Sequence, residues 1–216
     1  MGIYKQGILG PFSGRVGNVV GTFWKGRCVM RIRAASYNDA NTTAQQEQRL
    51  KWRLVTSFVK AHSQFIRLGF GASDQSLTPF NCAVRENLKT GIKGNFPEIA
   101  LDPTNVVLSQ GNLAPVGEAL ATADGEDVNL TWNSDSNNEN SFIDDKVYVS
   151  LINEENGEVQ LFPAIATRGD NGVSLSTGHT TGTFHVNLFL VKTGLEIVSN
   201  RDQVSNAQYL GTVALG

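Results

Sequence analysis

The alternation of apolar and polar residues near the amino end predicts a β-hairpin. Residues 18–25 and 27–34 are short apolar-rich runs on either side of Gly26, and a glycine between two such runs is typical of a tight turn. The surrounding stretch, 7–34, carries a glycine every three to five residues. Glycine inside strands marks turns, bulges or close approach of two backbones. We therefore predict a glycine-rich β-ribbon over 7–34.

The second predicted strand of this hairpin has two unlike faces. Side chains alternate between the faces of a strand with a period of two residues. One face carries Cys28, Met30 and Ile32, and we expect it to be buried. The other face, which we expect to be polar, carries Arg27, Val29, Arg31 and Arg33.

Farther along, apolar residues recur at every third or fourth position, the period of an amphipathic helix. This spacing predicts one long helix over 43–68 and a shorter helix over 79–90. Thr78 and Pro79 stand at the second start as N-cap and first helical residue, and Gly91 ends that helix. We expect the two helices to form a hairpin against the ribbon.

Beyond residue 94 the helical period disappears, and short alternating runs separated by turn residues take its place. Asn156-Gly157 is a strong hairpin-turn signal, and Trp132 is a predicted core residue. About seven such runs are typical of an immunoglobulin-like sandwich, of the fibronectin type because no cysteine pair brackets the tryptophan. The predicted fold class is α+β, with strands at 104–109, 127–132, 145–153, 158–167, 171–176, 183–192 and 207–214.

Charge divides the chain at the same place. Residues 1–94 contain 14 Lys and Arg against 4 Asp and Glu, whereas residues 95–216 contain 4 against 16. We predict a basic N-terminal region, 1–94, and an acidic sandwich domain, 95–216. Such asymmetry suggests a basic half that meets nucleic acid, or opposite faces that attract between copies. Two solvated domains of unlike composition are the third interpretation.

The candidate contact residues lie in the basic region. The glycines are predicted to allow close backbone packing at Gly7, Gly10, Gly14, Gly17, Gly21 and Gly26. The basic side chains are predicted to make assembly or anion contacts, as guanidinium and ammonium groups do with carboxylates and phosphates. They are Lys25, Arg27, Arg31, Arg33, Arg49 and Arg53.

Catalytic and metal-binding patterns are scarce. The two cysteines, Cys28 and Cys82, are too few for a disulfide framework and are expected to be small buried hydrophobes. His62 is expected to be a hydrogen-bonded core histidine. The acidic loop 133–145 has oxygen ligands at alternate positions (Asp135, Asn137, Glu139) but lacks the glycine and glutamate of a calcium loop. We predict a solvated loop, no metal, no cofactor and no enzymatic activity.

The sequence has no apolar run of the ~18 residues that a membrane-spanning helix needs. Its opening, MGIYKQ, has no apolar core and no small-residue cleavage site, both of which a signal peptide requires. We therefore expect a cytoplasmic or virion location and no membrane partner.

Several motifs carry a resemblance to a known family. The opening GILGPFSGRVGNVVGTFWKG, the segment TTAQQEQRLKW and the segment TPFNCAVRENLK resemble an uncharacterised family of the Bacteroidota, a domain of unknown function. The resemblance continues at LSQGNL (108–113), at Trp132 and at Tyr209-Leu-Gly211, so it covers nearly the whole chain. It implies no activity and no catalytic residues. The segment around Thr43 and Gln46 is also similar to segments of phage-encoded proteins.

These observations favour a structural protein that self-assembles through its N-terminal ribbon, as a phage or phage-derived virion component. Its partners would be other copies of itself and other virion proteins. The first alternative is a nucleic-acid-binding module that uses the basic half. The second is a glycan- or surface-binding sandwich, which would need exposed aromatic residues, for which Trp132, Tyr148 and Tyr209 are the candidates.

Overall fold

The structure is a computed structural model, and the chain forms two compact units, Met1–Thr42 and Thr43–Gly216, which are described separately below. The unit boundary follows residue 42, whereas the charge pattern places a boundary after residue 94. The helices of 43–94 belong with the β-rich region because they share its core. The structure describes residues 3–4, 10–24, 26–36, 39–72, 77–134, 140–178, 181–192, 194 and 200–216.

The first unit is an antiparallel sheet, which we call the ribbon. Its strands follow one another in the order β1-β2-β3-β4. The predicted hairpin is present as β3 and β4, which pair from Val19 opposite Ile32 to Trp24 opposite Arg27. The strands are β1 (Ile3–Tyr4), β2 (Phe12–Val16), β3 (Val19–Trp24) and β4 (Arg27–Ile32).

The glycines of the ribbon have different roles. Gly17 and Gly26 have φ angles of +58° and +76° in the turns that precede β3 and β4, and a Cβ atom at either would touch nothing within 4 Å. They are turn glycines, which corrects the close-packing interpretation for these two within the single chain. At Gly21, by contrast, a Cβ atom would collide with the backbone oxygen of Phe12. Gly21 therefore permits the close approach that the sequence predicted.

The described part of the second unit begins with three helices. The single helix predicted over 43–68 is two helices, because the chain departs from helical geometry at His62, whose φ and ψ are −95° and 18°. The shorter helix has the predicted bounds, and the Thr78 hydroxyl accepts a hydrogen bond from the Asn81 amide at 3.2 Å. The helices are α1 (Thr43–Ala61), α2 (Ser63–Gly69) and α3 (Pro79–Thr90).

Nine strands follow the helices within the described residues, and six of the seven predicted strands are among them. They are β5 (Ile92–Lys93), β6 (Ala100–Leu101), β7 (Gly117–Asp124), β8 (Asp127–Asn133), β9 (Lys146–Asn153), β10 (Val159–Thr167), β11 (Gly172–Ser176), β12 (Gly182–Val191) and β13 (Gln208–Leu215).

The prediction of a strand at 104–109 is wrong. There the backbone of Val107 bonds a side chain: its carbonyl accepts from Asn87 Nδ2 at 2.8 Å, and its N–H donates to Asn87 Oδ1 at 2.9 Å. An amide side chain has the same donor and acceptor as a peptide group, so this apolar segment is anchored without joining a sheet. Strand β7 is not predicted from the sequence, because its alanine-rich segment, GEALATAD, has low strand propensity.

The second unit has three layers. A four-stranded antiparallel sheet, ordered β10-β9-β12-β13, lies between the helices and a three-stranded sheet, ordered β11-β8-β7. Along β9, Val147, Val149 and Leu151 join the core between the two sheets, which also includes Trp132. The alternate residues Tyr148 and Ile152 pack against helical residues. Both faces of β9 are therefore buried, which explains its nearly continuous apolar sequence.

Candidate functional site

One face of the ribbon is almost wholly apolar, and its residues on β4 and the end of β3 are exposed. Residues that pair directly across strands share a face, and the strand registers place seven apolar side chains and two glycines together. Phe23 and Met30 are each 69% exposed and Ile32 is 80% exposed. We call this surface the apolar ribbon face: Phe12, Gly14, Val16, Val19, Gly21, Phe23, Cys28, Met30 and Ile32.

This exposure corrects two expectations. The face of Cys28, Met30 and Ile32 was expected to be buried, and every residue of β4 is exposed instead. Cys28 is likewise exposed, whereas Cys82 is buried as expected. The reason is that the described ribbon is a single sheet layer, and one layer cannot bury either of its faces without a second layer.

The opposite face of the ribbon is cationic. Arg15 and Arg31 both pair with Val20, so the two guanidinium groups flank one valine on neighbouring strands. Arg27 pairs with Trp24, which is 66% exposed, at the hairpin end. The structure thus places the predicted Arg27 and Arg31 on one face and adds Arg15, which the sequence analysis did not select.

The remaining predicted basic residues do not all join that face. The Arg33 amide donates to the Asn18 carbonyl at 2.8 Å just beyond β4. Arg49 and Arg53 belong to α1, in the other compact unit. Lys25 and Gly7 lie outside the described residues. The six predicted basic residues therefore include two separate sets, one on the ribbon and one on α1.

A groove follows one side of α1, and we call it the α1 groove. It consists of two successive cavities. The first, of about 370 Å³, is lined by Phe96 and by α1 residues Gln46, Arg49, Leu50 and Arg53. The second, of about 500 Å³, is lined on α1 by Leu54, Ser57, Phe58 and Ala61.

These eight α1 residues recur at alternating intervals of three residues and one, so they form one continuous stripe along the helix. The opposite wall comes from the segment 92–103, which supplies Phe96 to the first cavity and Leu101 to the second. The stripe from Gln46 to Ala61 is about 22 Å long at 1.5 Å per residue. The groove is therefore long and narrow rather than a closed pocket.

The far end of the α1 groove carries a second set of polar groups, apart from those of the first cavity. His185, Glu154 and Lys93 line the second cavity, and His185 Nδ1 lies 2.8 Å from the Tyr209 hydroxyl. Burial lowers the pKa of His185, with Glu154 acting in the opposite direction and Lys93 in the same one. Burial, with the charges of Glu154 and Asp102, raises the pKa of Tyr209. The far end of the groove therefore holds charges of both signs, from Lys93 and from the two carboxylates.

A second buried histidine lies between α1 and the four-stranded sheet. His62 Nδ1 is 2.9 Å from the Phe58 carbonyl, and Nε2 is 2.9 Å from the Ser150 hydroxyl. Since a carbonyl can only accept, Nδ1 carries the proton and Nε2 accepts from the hydroxyl. Burial lowers the pKa of His62 to about 4. Both nitrogens are satisfied in the neutral ring, which confirms the core role expected for His62.

The described residues contain no group of three or more His, Cys, Asp or Glu side chains that could hold a metal ion. The calcium candidates Asp135, Asn137 and Glu139 lie outside the described residues. Trp132 and Tyr148 are buried, at 5% and 9% exposure. Neither offers the exposed aromatic surface that a glycan-binding site would need.

The α1 groove is not predicted from the sequence. Its signal is present, because Leu50, Leu54 and Ala61 follow the helical period. That period alone places these residues toward the core. The helix in fact buries a neighbouring stripe, Val55, Phe58 and Val59, and the groove runs along the boundary between the two.

Together these features define a mixed α+β protein with an exposed β-ribbon and a grooved, three-layered second unit. Among the described residues, no helix combines the length and apolar content needed to cross a membrane. A family model described as "Family of unknown function (DUF6266)" matches residues 11–211, and the chain belongs to this family. No curated protein matches the chain.

Proposed function

We propose that this protein is a non-enzymatic structural protein that self-assembles through its N-terminal ribbon. The observation that carries the proposal is the exposed apolar ribbon face, with Phe23, Met30 and Ile32 each at least 69% exposed. Contiguous apolar surfaces of this kind mark sites of protein association. A two-stranded hairpin by itself is only marginally stable in water, so a partner packed on this face would also stabilise the β3–β4 hairpin.

A second copy is the partner that the charges favour. The unit Met1–Thr42 contains six Lys and Arg residues and one Asp, which gives a net charge of +5. The unit Thr43–Gly216 contains 12 Lys and Arg residues and 19 Asp and Glu residues, which gives a net charge of −7. Opposite net charges steer the ribbon of one molecule toward the second unit of another. In this proposal the assembly is a virion component, as the likeness to phage-encoded segments suggests.

The second unit provides the rigid body of such a subunit. We propose that its two facing sheets are an immunoglobulin-like sandwich of the fibronectin type. Seven strands divide into sheets β11-β8-β7 and β10-β9-β12-β13. When β7 to β13 are lettered A to G, the two sheets are E-B-A and D-C-F-G. The constant domain of antibodies differs only in the position of strand D, which there joins the A-B-E sheet.

Substitutions at two neighbouring residues of β4 test the proposal, with association measured by size-exclusion chromatography and light scattering. Met30 lies on the apolar ribbon face and Val29 on the opposite face. We expect wild-type protein to associate with rising concentration. M30S should weaken association about tenfold or more, because burial of one such side chain contributes ~1.5–3 kcal/mol.

The matched control, V29S, should leave association nearly unchanged. Wild-type protein that stays monomeric at every concentration and ionic strength would overturn the proposal. Equal effects of M30S and V29S would show that the apolar ribbon face is not the contact surface.

Nucleic-acid binding is the second candidate, and the cationic ribbon face favours it. Arg15, Arg27 and Arg31 share that face with the exposed Trp24. Phosphate binding by three arginines predicts a log–log salt slope of about −2 to −3. A gel shift with duplex DNA at low salt, compared between wild type and R27Q/R31Q, tests this candidate. Absence of a complex for both proteins would exclude it.

A further inference from the structure

The α1 groove and the ribbon hairpin match in length and in polarity. A six-residue strand such as β3 or β4 is about 20 Å long, and the groove stripe is about 22 Å long. The groove has apolar side chains from both walls, among them Leu50, Leu54, Phe96 and Leu101. The apolar ribbon face would cover these side chains and would itself be covered by them.

We infer that the α1 groove of one copy receives the apolar face of the β3–β4 hairpin of a second copy. This inference rests on the proposed function and names the surface that the ribbon contacts. Because donor and acceptor surfaces differ, the contact is head-to-tail. Repetition of such a contact builds rings if the rotation closes and filaments if it does not.

Charge favours this arrangement over the face-to-face pairing of two ribbons. Pairing two ribbons brings together two units of net charge +5, whereas docking in the groove sets +5 against a unit of net charge −7. Face-to-face pairing would also leave the apolar walls of the α1 groove exposed. Head-to-tail docking covers both apolar surfaces in one contact.

The side chains that line the groove carry charges of both signs, from Arg49, Arg53, Lys93 and Glu154. The arginines of the ribbon strands lie on the face opposite the apolar ribbon face, so docking of the apolar face keeps them away from the groove cations. The attraction therefore acts between the whole units rather than between paired side chains.

A groove-filling variant tests the acceptor surface. Ser57 is exposed and lines the second cavity, so S57W places a large ring in the groove without replacing a buried residue. K60W is the matched control, because Lys60 is exposed on the same helix and does not line the groove. By light scattering, S57W should weaken association about tenfold or more, as expected for loss of an interface hot spot. K60W should associate like wild type.

Mixing two defective variants tests the head-to-tail geometry. S57W keeps an intact ribbon and M30S keeps an intact groove, so each alone should be mainly monomeric. Their equimolar mixture should form a dimer that grows no further, because each dimer has one working contact and no second one. Association of S57W equal to wild type, with M30S still impaired, would overturn this inference and leave the proposed function standing.

The salt dependence of wild-type association keeps the inference testable if S57W does not fold, which circular dichroism will show. Head-to-tail docking joins units of net charge +5 and −7, so association should weaken several-fold from low to high NaCl concentration. Face-to-face pairing of two ribbons joins like charges and should instead strengthen with salt. Association that strengthens with salt would overturn the inference and leave self-assembly through the ribbon standing. A wild-type protein that never associates would overturn the inference together with the proposed function.

Discussion

Arg168 and Asp145 form a fully buried ion pair in which a single carboxylate oxygen receives every contact. Asp145 Oδ2 accepts from Arg168 Nη2 at 3.1 Å, from Arg168 Nε at 3.2 Å and from the Phe142 amide at 3.0 Å. Asp145 Oδ1 has no hydrogen-bond partner among the described residues. The same guanidinium also donates to the carbonyls of Ala114, at 2.6 Å, and Pro115, at 3.1 Å. Arg168 thus ties the start of β9 and the end of β10 to the segment before β7.

Removal of either partner of this pair should strongly destabilise the second unit. We expect R168A or D145A to lower the free energy of unfolding by about 3–5 kcal/mol, because each leaves an uncompensated buried charge. Replacement of both by apolar residues, R168M/D145L, should cost less than the two single losses together. Urea denaturation measures all three.

The pair between Lys89 and Glu86, 3.2 Å apart, is the comparison because it reaches solvent, with the two side chains 61% and 20% exposed. E86A should change stability by about 1 kcal/mol or less, since ion pairs at the surface contribute little. A similar effect of R168A and E86A would contradict the structural role of the buried pair.

Burial of His62 should make stability depend on pH. The pKa of His62 is about 4 in the folded chain against an ordinary value of 6.5. Below 6.5 the unfolded chain binds a proton that the folded chain does not, so stability falls as pH falls toward 4. Between pH 7 and pH 5 the free energy of unfolding should fall by roughly 2 kcal/mol more in wild type than in H62Q. Urea denaturation of both proteins at the two pH values measures this difference.

H185Q is the control for the His62 prediction. His185 lies at the groove end and is less deeply buried than His62, so the H185Q variant should keep the steep pH dependence that H62Q loses. Parallel pH profiles for wild type and H62Q would contradict the buried, neutral state of His62.

The two cysteines should differ sharply in reactivity. Cys28 is exposed on the ribbon and Cys82 is buried in α3. Native protein should therefore show one thiol that reacts quickly with a maleimide and one that reacts only after unfolding. C28S should abolish the fast reaction, and C82S should keep it, as mass spectrometry will show.

The same measurement reports on assembly. Cys28 belongs to the apolar ribbon face, so its reaction should slow at concentrations where the protein associates. A Cys28 rate that stays constant while the molecular mass rises would contradict burial of that face in the contact.

Asn87 should be essential for the position of the segment before β7. Its side chain bonds both backbone groups of Val107 and the Ala83 carbonyl. N87A leaves these buried groups unpaired and should cost about 2–4 kcal/mol in urea denaturation. N81A, at an exposed position of the same helix, should cost about 0.5 kcal/mol or less. Equal effects of the two substitutions would contradict the anchoring role of Asn87.

Local patterns accounted for most of the secondary structure. The helix at 79–90 was predicted with its N-cap because Thr78 and Pro79 act within one turn, and β9 and β12 were predicted because their alternation spans whole strands. The break at His62 and the irregular segment at 104–109 were missed. Both depend on partners distant in sequence: Ser150 contacts His62, and Asn87 takes the place of a neighbouring strand at Val107.

The candidate surfaces show the same division. The grouping of Arg27 and Arg31 on one face of β4 followed from the strand period alone. Exposure of Met30 and Ile32 did not, because burial depends on whether a second layer covers the sheet. The α1 groove could not be predicted either, since its second wall, at Phe96 and Leu101, approaches α1 only in the folded chain.

The amino-acid sequence by itself determined the α+β class, the positions of most helices and strands, and the segregation of charge along the chain. These properties depend on interactions within a few residues, or on composition. Only the tertiary structure decided that the helices share a core with the β-sheets, that the ribbon is a single exposed layer, and that a groove runs along α1. Those features depend on which distant segments meet, and burial of apolar surface selects such meetings only when the whole chain folds.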